Sequence, residues 1–109
     1  MIGVDQGEVI LFSDFEENGE MWAGSGPRQR VAKVNFSSEF KSPPAVHVGL
    51  SMWDMDSETN PRVDIKARKI TSSGFEIQFK TWNDTRIARV RASWMAIGAI
   101  GTGDAWDEV

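Results

Sequence analysis

The sequence contains no cysteine. No disulfide can brace the chain and no thiolate can hold a metal, so the fold must rest on its core and its hydrogen bonds. Tyrosine is also absent, and His47 is the only histidine. A lone histidine without a serine or cysteine nucleophile makes no catalytic triad. No glycine-rich loop follows a strand and opens a helix, so the phosphate-binding fingerprints are missing. No apolar run is long enough to cross a bilayer. The first residues, Met1 to Phe15, have neither the basic start nor the apolar stretch of a signal peptide. The chain therefore reads as soluble, as no enzyme, and as carrying no visible address for a compartment.

What is present points to one domain of 109 residues, long enough to bury a core. The formal charge of −4 argues against nucleic acid, because phosphate binding needs a basic surface. The charge is unevenly spread. The first twenty residues hold six acids, Asp5, Glu8, Asp14, Glu16, Glu17 and Glu20, and no base. Arg86, Arg89 and Arg91 crowd the last strand. In a ring of copies, one chain's acids could meet the next chain's arginines. Five tryptophans in so short a chain suggest that some serve the surface.

Alternation of apolar and polar residues runs through the whole chain. A first strand is expected over Gly7–Phe15, followed by a glycine-rich loop from Glu17 to Pro27. Arg28–Phe36 places Arg30, Ala32, Val34 and Phe36 on one face. Pro43 and Pro44 precede a third strand, with Val46, Val48, Leu50 and Met52 on one side. Val63, Ile65 and Ala67 point inward in a fourth, and Phe75, Ile77 and Phe79 in a fifth. Thr71–Gly74 joins these two as a hairpin. In the last strand Val90, Ala92, Trp94 and Ala96 share one face, against Ile87, Arg89, Arg91, Ser93 and Met95. No stretch has helical period. Six strands at this spacing indicate an all-β, antiparallel sandwich or small barrel over about 7–98, with a flexible acidic tail over 99–109 in which Trp106 docks on a neighbour.

Two places invite chemistry. In the loop Trp53–Arg62, Asp54, Asp56, Glu58 and Asn60 alternate, as oxygen ligands for calcium would. The loop lacks the mid-loop glycine and terminal glutamate of a calcium hand, so a solvated acidic loop is the plainer reading and no cofactor is expected. A carboxylate pair for glycoside hydrolysis, Asp54 with Asp56, has no other support. The second place is the loop Trp82-Asn83-Asp84 together with Arg62. An indole can stack on the apolar face of a sugar ring, while carboxamide, carboxylate and guanidinium meet its hydroxyls. Ordinary strand-end residues are the alternative.

Five features in order then resemble the H-type lectin domain, the family that includes snail agglutinins and the C-terminal domains of discoidins. They are Pro43-Pro44 before a strand, Asn60-Pro61-Arg62-Val63 opening the next, Ser73-Gly74-Phe75 at the hairpin, Thr81-Trp82 with Thr85, and Ser93-Trp94. The resemblance spans about Gly7 to Gly98. It implies a six-stranded antiparallel sandwich assembling as a homotrimer or as two stacked trimers. It implies binding of glycans of galactose type, particularly N-acetylgalactosamine, in clefts between neighbouring copies. It assigns sugar contacts to Arg62, Trp82 and Asn83, with Asp84 as a substitute acceptor. The loop Gly24-Ser25-Gly26 is expected to contribute from the adjacent chain. The chain departs from the pattern in three places: Asn83 stands for a histidine, Ala88 for an aromatic wall, and Ser25 or Gly26 for a loop acid. A trimer module of the same fold that has lost sugar binding is the competing expectation.

Overall fold

The computed structural model describes residues 1–101. Six strands form two three-stranded antiparallel sheets. They are β1 (Ile2–Ser13), β2 (Arg28–Asn35), β3 (Ala45–Met55), β4 (Val63–Arg68), β5 (Gly74–Thr81) and β6 (Ile87–Ala99). One sheet has the order β1-β6-β3 and the other β2-β5-β4. The long loop before β2 is not wholly irregular, because Glu20–Ala23 closes one helical turn, α1. A single turn is too short to show a helical period in sequence.

Period-2 alternation sets the faces, since neighbouring side chains on a strand point to opposite sides. The inward sets of β4, β5 and the greater part of β6 pack between the sheets. Phe36, Phe40, Phe75, Ile77, Ala92, Ala96 and Ile100 form one core cluster, with Trp94 packed against it. A second cluster, Phe12, Met21, Phe79, Ile87 and Val90, fills the end of the sandwich where α1 sits.

Two departures from the alternation and one from the expected span have local causes. Ile87 is fully buried rather than on the arginine face. The register between β3 and β6 slips there: Asp54 faces Arg89, but Met55 faces Ile87, leaving Ala88 as an extra residue in β6. Such a bulge turns the next side chain over. Gln78, expected outside, is also buried. β5 is the central strand of its sheet, so neighbours flank its outer face, and Gln78 Nε2 donates to Gln29 Oε1 at 3.0 Å. Finally, the sandwich exceeds its expected span at both ends. β1 starts at Ile2, paired with Ala99, and Ile100 is buried, its N–H donating to the Met1 carbonyl. The rest of the acidic tail, with Trp106, lies outside the described residues.

The arginine-rich face of β6 is paired within the chain. Arg91 meets Glu8 of β1 at 3.4 Å and donates to Ser51 Oγ at 3.0 Å. Arg89 meets Asp54 at 3.0 Å, and Arg86 meets Asp56 at 3.3 Å. Each guanidinium thus has a carboxylate, and the strip presents little free positive charge to a phosphate backbone. No helix among the described residues is long and apolar enough to cross a membrane.

Candidate functional site

Antiparallel pairing of β4 and β5 ends at Val63 opposite Thr81. The next residues outward on the two strands are Arg62 and Trp82. Two buried threonines fasten this end. Thr81 Oγ1 donates to the Arg62 carbonyl at 2.6 Å. Thr85 Oγ1 donates to the Asn60 carbonyl and accepts from the Arg62 N–H at 3.1 Å. Both threonines are at most 1% exposed, so these bonds form away from water. They hold Arg62 beside the β5–β6 loop.

Trp82 keeps 39% of its surface exposed. Arg62 Nη1 donates to Asp84 Oδ1 at 2.6 Å. Desolvation, the largest single influence, raises the Asp84 carboxyl, but backbone N–H donors at Asp84 and Asn60, with the bond and charge of Arg62, together outweigh it. The net result holds Asp84 below the usual carboxylate range. Asn83 takes a left-handed backbone, φ 58°, which asparagine tolerates better than most residues. That conformation aims its carbonyl back at the loop before β2.

The loop Gly24-Ser25-Gly26 lies against Asn83 of the same chain. Gly26 N–H donates to the Asn83 carbonyl at 2.8 Å. Gly26 has φ +76°, a region that favours glycine. A Cβ on Gly24 would meet the Glu20 carbonyl oxygen at 2.5 Å, so a side chain there would open the turn after α1. The seven residues picked from sequence therefore gather at one end of the sandwich, around Asn83.

The residue that binds them together was not among the seven. Arg28, 7% exposed, opens β2 directly after the glycine loop. Its guanidinium donates to the carbonyls of Gly26 at 2.9 Å and of Glu20, Met21 and Asn83 at 3.2 Å each. Burial lowers its pKa from the usual value, and the charge of Glu20 partly offsets this. Its place in Gly-Pro-Arg carries no signal that distinguishes it from a surface arginine, since the carbonyls it serves come from distant segments.

The acidic loop behaves differently from its calcium reading. Asp54 and Asp56 hold arginines, and Asp56 Oδ1 also accepts from the Glu58 N–H at 2.9 Å. Among the described residues, no three histidine, cysteine, aspartate or glutamate side chains stand close enough to hold a metal ion.

The H-type lectin domain matches residues 31–97, which include Arg62 and Trp82–Asp84 but not Gly24–Gly26. A protein of Fuscovulum blasticum, "ATP synthase subunits region ORF 7", is 58% identical over 97% of this chain and 92% of its own length. One of the discoidin-1 chains of Dictyostelium discoideum is 35% identical over 73% of this chain, but the match covers 32% of that protein. The solved structure of discoidin II from the same organism superposes with a TM-score of 0.77 at 28% identity, over 89% of this chain and 37% of the other. This chain thus spans about a third of the discoidins. The sandwich and the match over most of its strands agree, and the chain belongs to the H-type lectin domain family.

Proposed function

We propose that the protein is a multivalent lectin that binds galactose-type sugars, N-acetylgalactosamine among them, through Trp82, Arg62, Asn83 and Asp84 with the Gly24–Gly26 loop. The observation that carries this reading is the exposed Trp82 at the end of β5, where the next residue outward on β4, Arg62, pairs with Asp84. The indole offers a flat apolar platform to the C–H face of a pyranose. The guanidinium donates to hydroxyls, and Asp84 and Asn83 accept from them. Family membership supports the carbohydrate class. The role is binding rather than hydrolysis, because Asp54 and Asp56 are already spent on arginines.

Copies assemble as a trimer, or as two stacked trimers, through the outer face of the β1-β6-β3 sheet. Rows of paired residues cross this face: Val4, Ile97 and Ala45, then Gln6, Met95 and His47. Ile2 and Val4 are 67% and 51% exposed, and Met95 and Ile97 are also exposed. The exposed apolar patch that Ile2, Val4, Met95 and Ile97 make on this face marks an association surface. A shallow site of this sort binds one sugar at about 0.1–1 mM, and several sites on one rigid body raise avidity by roughly 10²–10⁴.

A second reading, an assembly module without sugar binding, draws on the missing loop acid at Ser25-Gly26 and on Ala88. A glycan array run with and without chelator separates the two. Trp82→Ala removes the galactose-type signals while the oligomer mass stays the same. Signals that survive this change place the sugar elsewhere, and an array that is blank for the unaltered protein favours the module.

A further inference from the structure

A cleft of about 350 Å³ opens beside α1, with Phe15, Glu16, Trp22, Asp54, Ala88 and Arg89 in its walls. Ala88, which replaces the aromatic wall of the family's sugar site, is common to the two. Phe15 is 56% exposed, and its ring packs against Trp22, centroids 5.0 Å apart and planes at 75°. One face of Trp22 is already taken, because the Arg86 guanidinium lies 4.2 Å from its ring centre. The aromatic surface left open in the cleft is therefore Phe15.

This wall is preformed. The N–H groups of Asp14 and Phe15 both donate to the Ala88 carbonyl, at 2.7 and 3.2 Å. The buried Asp14 carboxylate accepts from Met21 N–H at 3.0 Å and from Arg30 at 2.9 Å, tying the turn to α1 and β2. A side chain on so fixed a support needs little further ordering when a ligand covers it.

The charge balance around the cleft selects the ligand. Arg89 is neutralised by Asp54 at 3.0 Å, and Arg86 by Asp56 at 3.3 Å. Both bonds from Arg89 go to Asp54 Oδ2, which leaves Oδ1 as an acceptor. The Glu16 side chain has no partner among the described residues, and neither has that of Glu17 beside it. The walls thus hold two carboxylates, Glu16 and Asp54, against one guanidinium, Arg89, and the unbalanced charge is negative. An anion is repelled. A neutral group would strip water from Glu16 without supplying a counter-charge. A primary ammonium supplies that charge together with three N–H donors, which a quaternary ammonium lacks. Its alkyl stem covers the Phe15 ring, whose negative face also attracts the charge.

We infer that the Phe15–Trp22 cleft binds a primary alkylammonium group, with its N–H donors on Glu16 and Asp54 and its stem on Phe15. Such a group is carried by a free amine or by a lysine side chain of another protein. None of the residues invoked belongs to the Trp82 loop, so this site stands whether or not the protein binds sugar.

The test uses the full chain with ¹⁵N-labelled indoles, each assigned by replacement with phenylalanine. At pH 7 and fixed ionic strength, n-pentylamine, n-pentanol and sodium pentanoate are titrated one at a time. The amine shifts the Trp22 indole signal with a midpoint on the order of millimolar, and the alcohol and the carboxylate need at least about tenfold more. Glu16→Gln, at a side chain that holds nothing else, raises the amine midpoint about tenfold, whereas Trp82→Ala leaves it unchanged. Nα-acetyl-lysine methylamide separates the two sources: a midpoint equal to that of the amine assigns the site to lysine side chains, and a much higher one to free amines. Pentanol that matches the amine, or a Glu16→Gln variant that binds as before, overturns the inference. So does galactose or N-acetylgalactosamine moving Trp22 at lower concentration than the amine, which would give the cleft to the sugar. A Trp22 shift that follows protein concentration instead of amine means that a second copy fills the cleft, and this also overturns it.

Discussion

Arg62 and Asp84, on different loops and twenty-two positions apart, meet at 2.6 Å with Trp82 on the strand end between them in sequence. The carboxylate fixes the direction of the guanidinium before any ligand arrives. The pair is half in solvent, so its worth lies in positioning more than in stability.

Replacing Asp84 by asparagine should therefore leave the folded state intact and weaken sugar binding by roughly tenfold, through loss of a charge-assisted acceptor and of Arg62's orientation. Acid should do the same late. The folded-state pKa of Asp84 lies below its unfolded value of about 3.9, so the pair's contribution is present above that value and fades as pH falls through the lowered one. Binding measured against pH should hold at pH 5 and decline only below the ordinary carboxylate range. A decline centred above that range would show that Asp84 is not the group responsible.

Thr85→Val keeps the shape of a side chain that is fully buried and removes its hydroxyl. The Asn60 carbonyl and the Arg62 N–H then lose their partner inside the fold. An unmet buried polar group costs about 1–3 kcal/mol. Thermal unfolding should show Tm lowered by several degrees, and an unchanged Tm would mean that water replaces the hydroxyl.

Arg28→Met removes the donor to four carbonyls at once. A loss of at least about 2 kcal/mol is expected from denaturant titration, since hydrogen bonds from a charged group are worth more than neutral ones. Arg28→Lys should recover little of it. An ammonium cannot spread its donors across a plane as a guanidinium does.

Val4→Lys puts a charge at the β1 end of the exposed apolar row Val4–Ile97–Ala45 on the β1-β6-β3 sheet. Light scattering should find the oligomer reduced to a monomer that retains its β-sheet circular dichroism. An oligomer of unchanged mass would move the association surface off this sheet.

Much of this was legible before any coordinates. The inward residues of β4 and β5 follow strict alternation, because one side of each strand meets the core and the other meets water or a neighbour. Trp82, Asn83 and Asp84 stood out because an indole, a carboxamide and a carboxylate cluster where a strand ends. The register slip beside Ala88 was not legible. It depends on how β6 fits β3, and no residue type announces it. The start of β1 was missed for a related reason: its alternate apolar residues, Ile2 and Val4, face outward, so the pattern gave no sign of which side was core.

The sequence by itself determined the strand faces, the hairpin over Thr71–Gly74 and the composition of the Trp82 loop, since each depends on neighbours a few positions away. Only the tertiary structure decided which charges meet and which loops touch. Arg28 reaches the Asn83 carbonyl across fifty-five positions, and Arg86 closes on Trp22 across sixty-four. Such contacts follow from how two twisted sheets stack and bring their ends together, and local patterning holds no record of that distance.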